Sequence, residues 1–177
     1  MAPQQTAPPF SGALAVRPAG DGRFEAELGT TWTVGPKAHG GLMMALMAKA
    51  ALLRLADEAP GTAPDPLAVA ADFLRAPDPG PVTLTTDVVK IGRTASVVAV
   101  QMIQNDKPML SASVTAGRLP DDEPAWAEVP DLPAEPPEDA MAPYNERLPT
   151  GISSACELRY VGATLPFTRG ETGPPVI

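Results

Sequence analysis

Residues 37–58 read KAHGGLMMALMAKAALLRLADE, and this stretch decides the fold. Alanine, leucine and methionine dominate it, and all three favour the α-helix. Pro60 and Gly61 follow and end the helix. Residues 42–48 include no polar side chain, and a helix that is apolar on every side has to be enclosed by other parts of the protein. The apolar run is too short to cross a bilayer and Lys49 interrupts it, so we predict a helix over 37–58 whose first half is buried in protein.

Alternating side chains predict five β-strands around this helix, one before it and four after it. Short turns separate the last four strands, as at Pro-Asp-Pro-Gly-Pro in residues 77–81. Short turns impose antiparallel neighbours. We therefore predict an α+β fold in which a curved antiparallel sheet wraps one long central helix. The predicted strands cover residues 23–28, 67–74, 82–88, 94–104 and 109–117.

The remainder of the chain differs in composition from this domain of residues 23–119. Residues 1–22 are predicted to be a disordered or extended lead-in. Residues 120–150 are predicted to be an acidic, proline-rich linker, because eight of the 23 prolines and nine of the 21 acidic residues fall there. Residues 155–161 alternate like one more strand. Within residues 151–177, this strand either adds to an edge of the first sheet or begins a further domain.

Composition and charge exclude several classes of function. The net charge of −8 comes from the acidic linker, and no basic patch is present, so nucleic acid is not expected as a partner. The single cysteine, Cys156, can form no disulfide within the chain, which favours a reducing, cytoplasmic location. The sequence contains no phosphate-binding loop, dinucleotide fingerprint or cluster of metal ligands, so we predict neither a cofactor nor a metal, and no membrane span.

A family resemblance rests on the order of several short motifs. His39-Gly40-Gly41 opens the long apolar helix, after an early tryptophan and before Phe73-Leu74, Pro79-Gly80-Pro81 and Gly92-Arg93-Thr94. This order resembles the hotdog-fold acyl-CoA thioesterases, and most closely the N-terminal half of the double-hotdog, type II group. The resemblance covers about residues 24–118. It also implies that residues 157–160, Glu-Leu-Arg-Tyr, begin the first strand of a second hotdog that is truncated here.

The resemblance implies an activity in lipid metabolism, the hydrolysis of fatty acyl-CoA thioesters to a free acid and CoA. It also implies a partner, either a second copy in a homodimer or a second hotdog unit. Single-hotdog members carry an Asp or Glu in the second or third turn of the helix, where this chain has Ala45 to Lys49. In the double-hotdog group, the C-terminal unit supplies most catalytic residues. The alternative is therefore a non-catalytic half that binds acyl-CoA or serves a structural role.

The start of the helix is the first candidate site. The leading N–H groups of a helix have no partner within it and lie at the positive end of its dipole. Gly40 and Gly41 leave these groups accessible to a thioester carbonyl, although tight packing would explain two glycines equally well. His39 is either a ligand contact that orients the thioester or a structural capping residue. The predicted catalytic residues are His39 and Gly41, with Gly40 in substrate binding.

Phe73 and Asp72 form a second candidate group, on the strand after the helix. Asp72 is a candidate base if its face of the strand meets the helix, and a solvated residue if it faces outward. Asp72 and Phe73 are both predicted to be substrate-binding residues, Phe73 through the resemblance.

The third candidate group lies in a turn. Arg93 could meet a CoA phosphate, because arginine suits such contacts, or could simply be solvated. Thr94 follows it in the motif that carries the resemblance, and both residues are predicted to bind substrate. Met43, Met44 and Met47 are either core residues or the lining of an adaptable acyl groove.

Overall fold

The computed structural model describes residues 10–123, 126–128, 135–138, 140, 151–156 and 159. In chain order its elements are α1 (Phe10–Ala13), β1 (Val16–Pro18), β2 (Arg23–Leu28), β3 (Thr33–Val34), β4 (Lys37–Ala38), α2 (Gly40–Glu58), β5 (Asp65–Phe73), β6 (Gly80–Lys90), β7 (Ala95–Gln104), β8 (Lys107–Gly117) and α3 (Gly151–Ala155).

Six of the strands form one antiparallel sheet in the order β1-β2-β6-β7-β8-β5. Its strands alternate between a buried and an exposed face, most clearly in β2 and β7. The buried face packs on α2 and forms the core of the domain, which confirms the predicted α+β arrangement of a helix against an antiparallel sheet. Core residues on the sheet include Leu28, Leu84, Val98, Val100, Met102, Leu110 and Val114.

Most of the first half of α2 is enclosed, as its composition predicts. Leu46 and Met47 have 0% exposure, while Met44 and Ala45 are half-buried. An N-terminal segment packs against the core through Ala13, Leu14 and Val16. The ammonium of Lys49 donates a 2.6 Å hydrogen bond to the carbonyl of Leu14, which ties this segment to the helix. In the part of the chain described, no helix is long and apolar enough to cross a membrane.

The helix starts three residues later than predicted, at Gly40 instead of Lys37. Lys37 and Ala38 instead pair with Thr33 and Val34 in a small hairpin, β3-β4. Gly35 in its turn has φ of 58°, a left-handed conformation that glycine adopts without strain. Helix propensity alone could not reveal this pairing, which depends on residues upstream. The end of α2 at Glu58 was predicted correctly.

The five predicted strands are all present, and β2 has the predicted bounds. The strands β5 to β8 differ from prediction by one or two residues at their ends. Within residues 1–22, the structure includes α1 and the strand β1, which pairs with β2. In residues 23–119 the hairpin β3-β4 was not predicted.

The C-terminal helix α3 packs on the loop before β3. A methyl group added at Gly151 would lie 2.5 Å from the carbonyl oxygen of Thr30 and 2.6 Å from that of Thr31, so the backbone approaches this loop closely. Ile152 and Ala155 pack against the core. Ala155 is helical, which makes the predicted strand over 155–161 wrong at its first residue. Most of that strand, and the predicted second hotdog, lie outside the described residues.

The strand β5 forms one edge of the sheet. It pairs with β8 on one side, and within the described ranges no strand pairs with it on the other. At the opposite edge, the short β1 covers part of β2. The long edge of β5 therefore presents unpaired backbone groups, the usual template for adding a further strand.

Candidate active site

The first backbone N–H groups of α2 are the candidate hydrogen-bond donors of this site. The N–H of Leu42 donates to Nδ1 of His39 at 3.4 Å, and the N–H of Met43 donates to the backbone carbonyl of His39 at 3.2 Å. In the residues that the structure describes, no hydrogen bond satisfies the N–H groups of Gly40 and Gly41. They lie at the positive end of a 19-residue helix, a position that favours a negatively polarised oxygen.

The two glycines answer two different steric demands. A methyl group added at Gly40 would lie 3.2 Å from Cε1 and Cζ of Phe73, so the ring of Phe73 rests against the start of the helix. One added at Gly41 would lie 2.8 Å from Cε1 of His39, so Gly41 makes room for the imidazole. The glycines therefore allow close packing and leave the N–H groups uncovered at the same time.

His39 caps the helix and holds its imidazole in one orientation. Its backbone is extended, with φ of −70° and ψ of 130°, and its N–H donates to the carbonyl of Trp32 at 2.9 Å. Nδ1 accepts the bond from Leu42, so in the neutral imidazole the proton resides on Nε2. The residue is half-buried, and no hydrogen bond engages Nε2 within the described residues, so Nε2–H is available to donate. The capping and ligand-binding interpretations of His39 are therefore compatible.

A cavity of about 360 Å³ opens beside this helix start. It combines a polar end at Gly40 with an apolar wall and one cationic side chain. Phe73 is 54% exposed and Leu74 51%, so two large apolar side chains stand uncovered at the cavity. The lining residues are Ala38, Gly40, Met43, Phe73, Leu74, Arg75 and Ala76. Such a mixture suits an elongated ligand with an apolar portion and a carbonyl group.

Asp72 faces away from this cavity. It pairs with Ser111 in the sheet, whereas its neighbour Phe73 pairs with the buried Leu110 on the face toward α2. Asp72 is exposed on the outer face, which supports the solvated alternative of the two that the sequence left open. As a base within the same chain it is therefore wrongly placed.

Arg93 and Thr94 lie at the other end of the sheet. A methyl group added at Gly117 would lie 2.7 Å from the carbonyl of Thr94, and Gly117 pairs with Asp65 at the start of β5. Phe73 is eight residues further along the same strand, a distance of about 25 Å at the usual rise. Arg93 and Thr94 are both exposed. The structure thus brings His39, Gly40, Gly41 and Phe73 together and separates Arg93 and Thr94 from them within one chain.

A larger cavity, of about 440 Å³, lies at the C-terminal half of α2. Arg54 lines it and forms an ion pair with Glu58 on the next helical turn. Gly22 and Asp57 also line it, but none of the residues at the start of α2 does. Its position at the far end of the helix separates it from the cavity beside Gly40.

Two residues near His39 were not predicted as site residues. Trp32 is 8% exposed, its ring contacts Phe10 at a centroid distance of 5.0 Å, and its indole N–H has no partner among the described residues. Arg75 lines the cavity. The signal for Arg75 was its place directly after Phe73-Leu74, at the end of a predicted strand.

Residues 28–117, half of the chain, match the acyl-CoA thioesterase N-terminal domain family. The chain belongs to this family. The match begins at the end of β2 and ends with β8, so α2 and all the lining residues of the cavity beside Gly40 fall within the thioesterase domain.

Relatives of this thioesterase domain are longer than the present chain. Uncharacterised proteins of Mycobacterium tuberculosis and Mycobacterium bovis are 37% identical to it over 196 aligned positions. The alignment covers 95% of this chain and 66% of each relative, so the chain spans less than two thirds of their length.

Solved structures confirm that the acyl-CoA thioesterase domain has the hotdog fold. A candidate thioesterase II from Thermobifida fusca superimposes with a TM-score of 0.73 at 24% identity, covering 92% of this chain and 60% of that one. A protein from Alicyclobacillus acidocaldarius with a hotdog fold and unknown function superimposes with a TM-score of 0.61 at 23% identity, covering 80% and 51%. At these identities the likeness concerns the fold.

Proposed function

We propose that this chain acts in the hydrolysis of fatty acyl-CoA thioesters to a free acid and CoA. One observation carries the proposal. The N–H groups of Gly40 and Gly41 open the helix next to the imidazole of His39, and Gly40 also lines a cavity with an apolar wall. A thioester carbonyl bound there would receive its hydrogen bonds at the positive end of a buried helix.

The chemistry follows from charge development on the carbonyl oxygen. Water attacks the carbonyl carbon, and the oxygen becomes an oxyanion in the tetrahedral intermediate. Preformed N–H donors stabilise that charge without rearranging, which is the largest single term in many acyl-transfer reactions. Collapse of the intermediate breaks the carbon–sulfur bond, and the CoA thiolate takes up a proton as it leaves.

Activation of water requires a base that α2 does not supply. The first carboxylate in this helix is Asp57, near its C-terminal end. Lys49, in the part of the helix where related single hotdogs carry an acid, has its ammonium engaged by the carbonyl of Leu14. We propose that the base comes from a second hotdog unit, either another copy of this chain or the remainder of a longer protein. The alternative is a half that binds acyl-CoA without turnover.

The unpaired edge of β5 is the surface on which we expect that unit to assemble. A homodimer formed there would have twice the 18.3 kDa mass of the chain, as measured by light scattering after size exclusion. Ala70→Lys should shift the protein toward the monomer. Near the middle of a strand that pairs across a two-fold axis, the lysines of both copies would lie close together, and like charges there are destabilising.

Ala99→Lys is the matched control for this edge. Ala70 and Ala99 both pair with Ser113, so they lie in one row of the sheet, and both are exposed. Ala99 is on the central strand β7, away from the edge. We expect Ala99→Lys to keep the mass of the wild type. A monomeric wild-type chain would contradict the homodimer.

The activity is tested by CoA release from medium- and long-chain acyl-CoAs, measured as free thiol with the purified chain. Binding is measured in parallel with a thioether analogue, which cannot be hydrolysed. Release well above the spontaneous rate supports the enzyme. Binding without release supports the non-catalytic alternative, and the absence of both would refute the proposed function.

A further inference from the structure

Arg75 stands at the cavity beside the start of α2, directly after β5 ends at Phe73. The backbone N–H groups of Leu74 and Arg75 both donate to the carbonyl of Met109, at 2.9 and 3.0 Å. These two bonds fix the backbone where the chain leaves the sheet. The side chain is anchored as well, because Nη1 donates to the carbonyl of Pro108 at 2.8 Å.

The positive charge of Arg75 is not neutralised by a carboxylate in the described parts of the chain. Its partner, the Pro108 carbonyl, is neutral and engages one nitrogen of the guanidinium. The nearby cation Lys37 differs, because its ammonium forms a 2.7 Å ion pair with Asp78. Arg75 is exposed, so its remaining N–H donors are accessible to a ligand. A guanidinium presents these donors in a planar fork that matches the oxygens of a phosphate group.

We infer that Arg75 binds a phosphate group of the acyl-CoA substrate, an inference that rests on the proposed function and adds a substrate-binding residue to it. With the thioester carbonyl at Gly40, the pantetheine arm would extend over the exposed Phe73 and Leu74 toward Arg75. The ring of Phe73 rests against Gly40. Arg75 lies two residues beyond Phe73, about 7 Å of extended chain, and it lines the same cavity as Gly40. The pantetheine arm is longer than this, so one ligand could place its thioester at Gly40 and a phosphate at Arg75.

This assignment replaces Arg93 as the phosphate-binding cation. Arg93 is in the turn between β6 and β7, at the opposite end of the sheet from Phe73. Arg75 lines the same cavity as Gly40, so a single ligand can contact both. Charge-assisted hydrogen bonds from a partly solvated arginine to a phosphate correspond to about a ten-fold change in affinity.

The test uses S-octyl thioethers, which bind without being hydrolysed. Dissociation constants are measured by calorimetry for S-octyl-CoA, S-octyl-phosphopantetheine and S-octyl-pantetheine with the full chain. Arg75→Ala should raise the Kd for S-octyl-CoA about ten-fold. It should leave the Kd for S-octyl-pantetheine, which has no phosphate, unchanged. If Arg75→Ala also raises the Kd for S-octyl-phosphopantetheine, the contact is to the phosphate attached to pantetheine. If Arg75→Ala raises the Kd for S-octyl-CoA alone, the contact is to a phosphate nearer the adenosine.

Two further variants control for structure. Arg75→Gln keeps an amide donor for the Pro108 carbonyl without the charge, and it should weaken S-octyl-CoA as Arg75→Ala does. Arg118→Ala removes another exposed arginine that donates to a backbone carbonyl, that of Gly61 at 3.1 Å, and it should change no Kd.

Several outcomes would overturn the inference. They are equal weakening of all three thioethers by Arg75→Ala, an unchanged Kd for S-octyl-CoA with Arg75→Gln, or no binding of S-octyl-CoA by the wild type. If the Arg75 variants show the phosphate-dependent loss but acyl-CoA is never hydrolysed, the phosphate contact stands and the hydrolase proposal fails.

Discussion

His39→Ala should lower kcat/KM for acyl-CoA hydrolysis by about 100- to 1000-fold, the range seen when one oxyanion donor is removed. The substitution removes the Nε2–H donor that the bond from Leu42 to Nδ1 orients. It also removes the helix cap, so the free energy of unfolding should fall by about 1 kcal/mol. The loss of kcat/KM is measured from initial rates of thiol release by the assembly that hydrolyses acyl-CoA. The loss of stability is measured by urea denaturation of the same assembly.

His39→Asn separates catalysis from capping. Asparagine is among the best capping residues, so this variant should keep the stability of the wild type. Its shorter side chain, engaged at the cap, leaves no donor where Nε2 was, and the rate should fall as in His39→Ala. If His39→Asn hydrolyses acyl-CoA at the wild-type rate, His39 serves only as a helix cap.

Gly41→Ala tests the contact between the imidazole and the helix start. Its methyl group would lie 2.8 Å from Cε1 of His39, so the substitution should disturb the protein less when His39 has also been replaced.

Leu46→Ala should lower the free energy of unfolding by about 3–5 kcal/mol, a large share of the stability of a typical domain. Leu46 has 0% exposure and belongs to the core that α2 forms with the sheet. The substitution leaves a cavity between two rigid elements that cannot collapse to fill it. Urea denaturation monitored by tryptophan fluorescence measures the change.

Leu53→Ala is the matched comparison for Leu46→Ala, since it removes the same atoms from the same helix. Leu53 is only half-buried and packs at the margin of the core. We expect it to lower the free energy of unfolding by about 1 kcal/mol. Equal losses from the two substitutions would mean that α2 is not held mainly by its first half.

The fold was predictable from the sequence because one segment imposes it. The apolar run over residues 42–48 requires enclosure, and strands with one apolar face supply it. What local pattern could not reveal was pairing at a distance. Lys37 and Ala38 look like the first turn of α2, yet they are held by Thr33 and Val34. Val34 is exposed in the hairpin, so its strand has no buried side chain at that position to reveal it in the sequence pattern.

The candidate site was predictable only in part. The motif His39-Gly40-Gly41 marks the helix start, because a helix that begins with two glycines needs a reason for them. The period of β5 correctly put Asp72 and Phe73 on opposite faces, but only the pairing with β8 determines which face meets α2. Arg75 and Arg93 both stand near strand ends in the sequence. Which of them lies beside Gly40 depends on how the strands are ordered in the sheet.

The docking of α3 has a consequence for assembly. Gly151 rests on the carbonyls of Thr30 and Thr31, in the loop that also carries Trp32, the hydrogen-bond partner of His39. A polypeptide that continues from α3 is therefore tethered within reach of the helix start. A domain attached there would experience a millimolar effective concentration, and a weak intrinsic affinity would suffice to keep it in place.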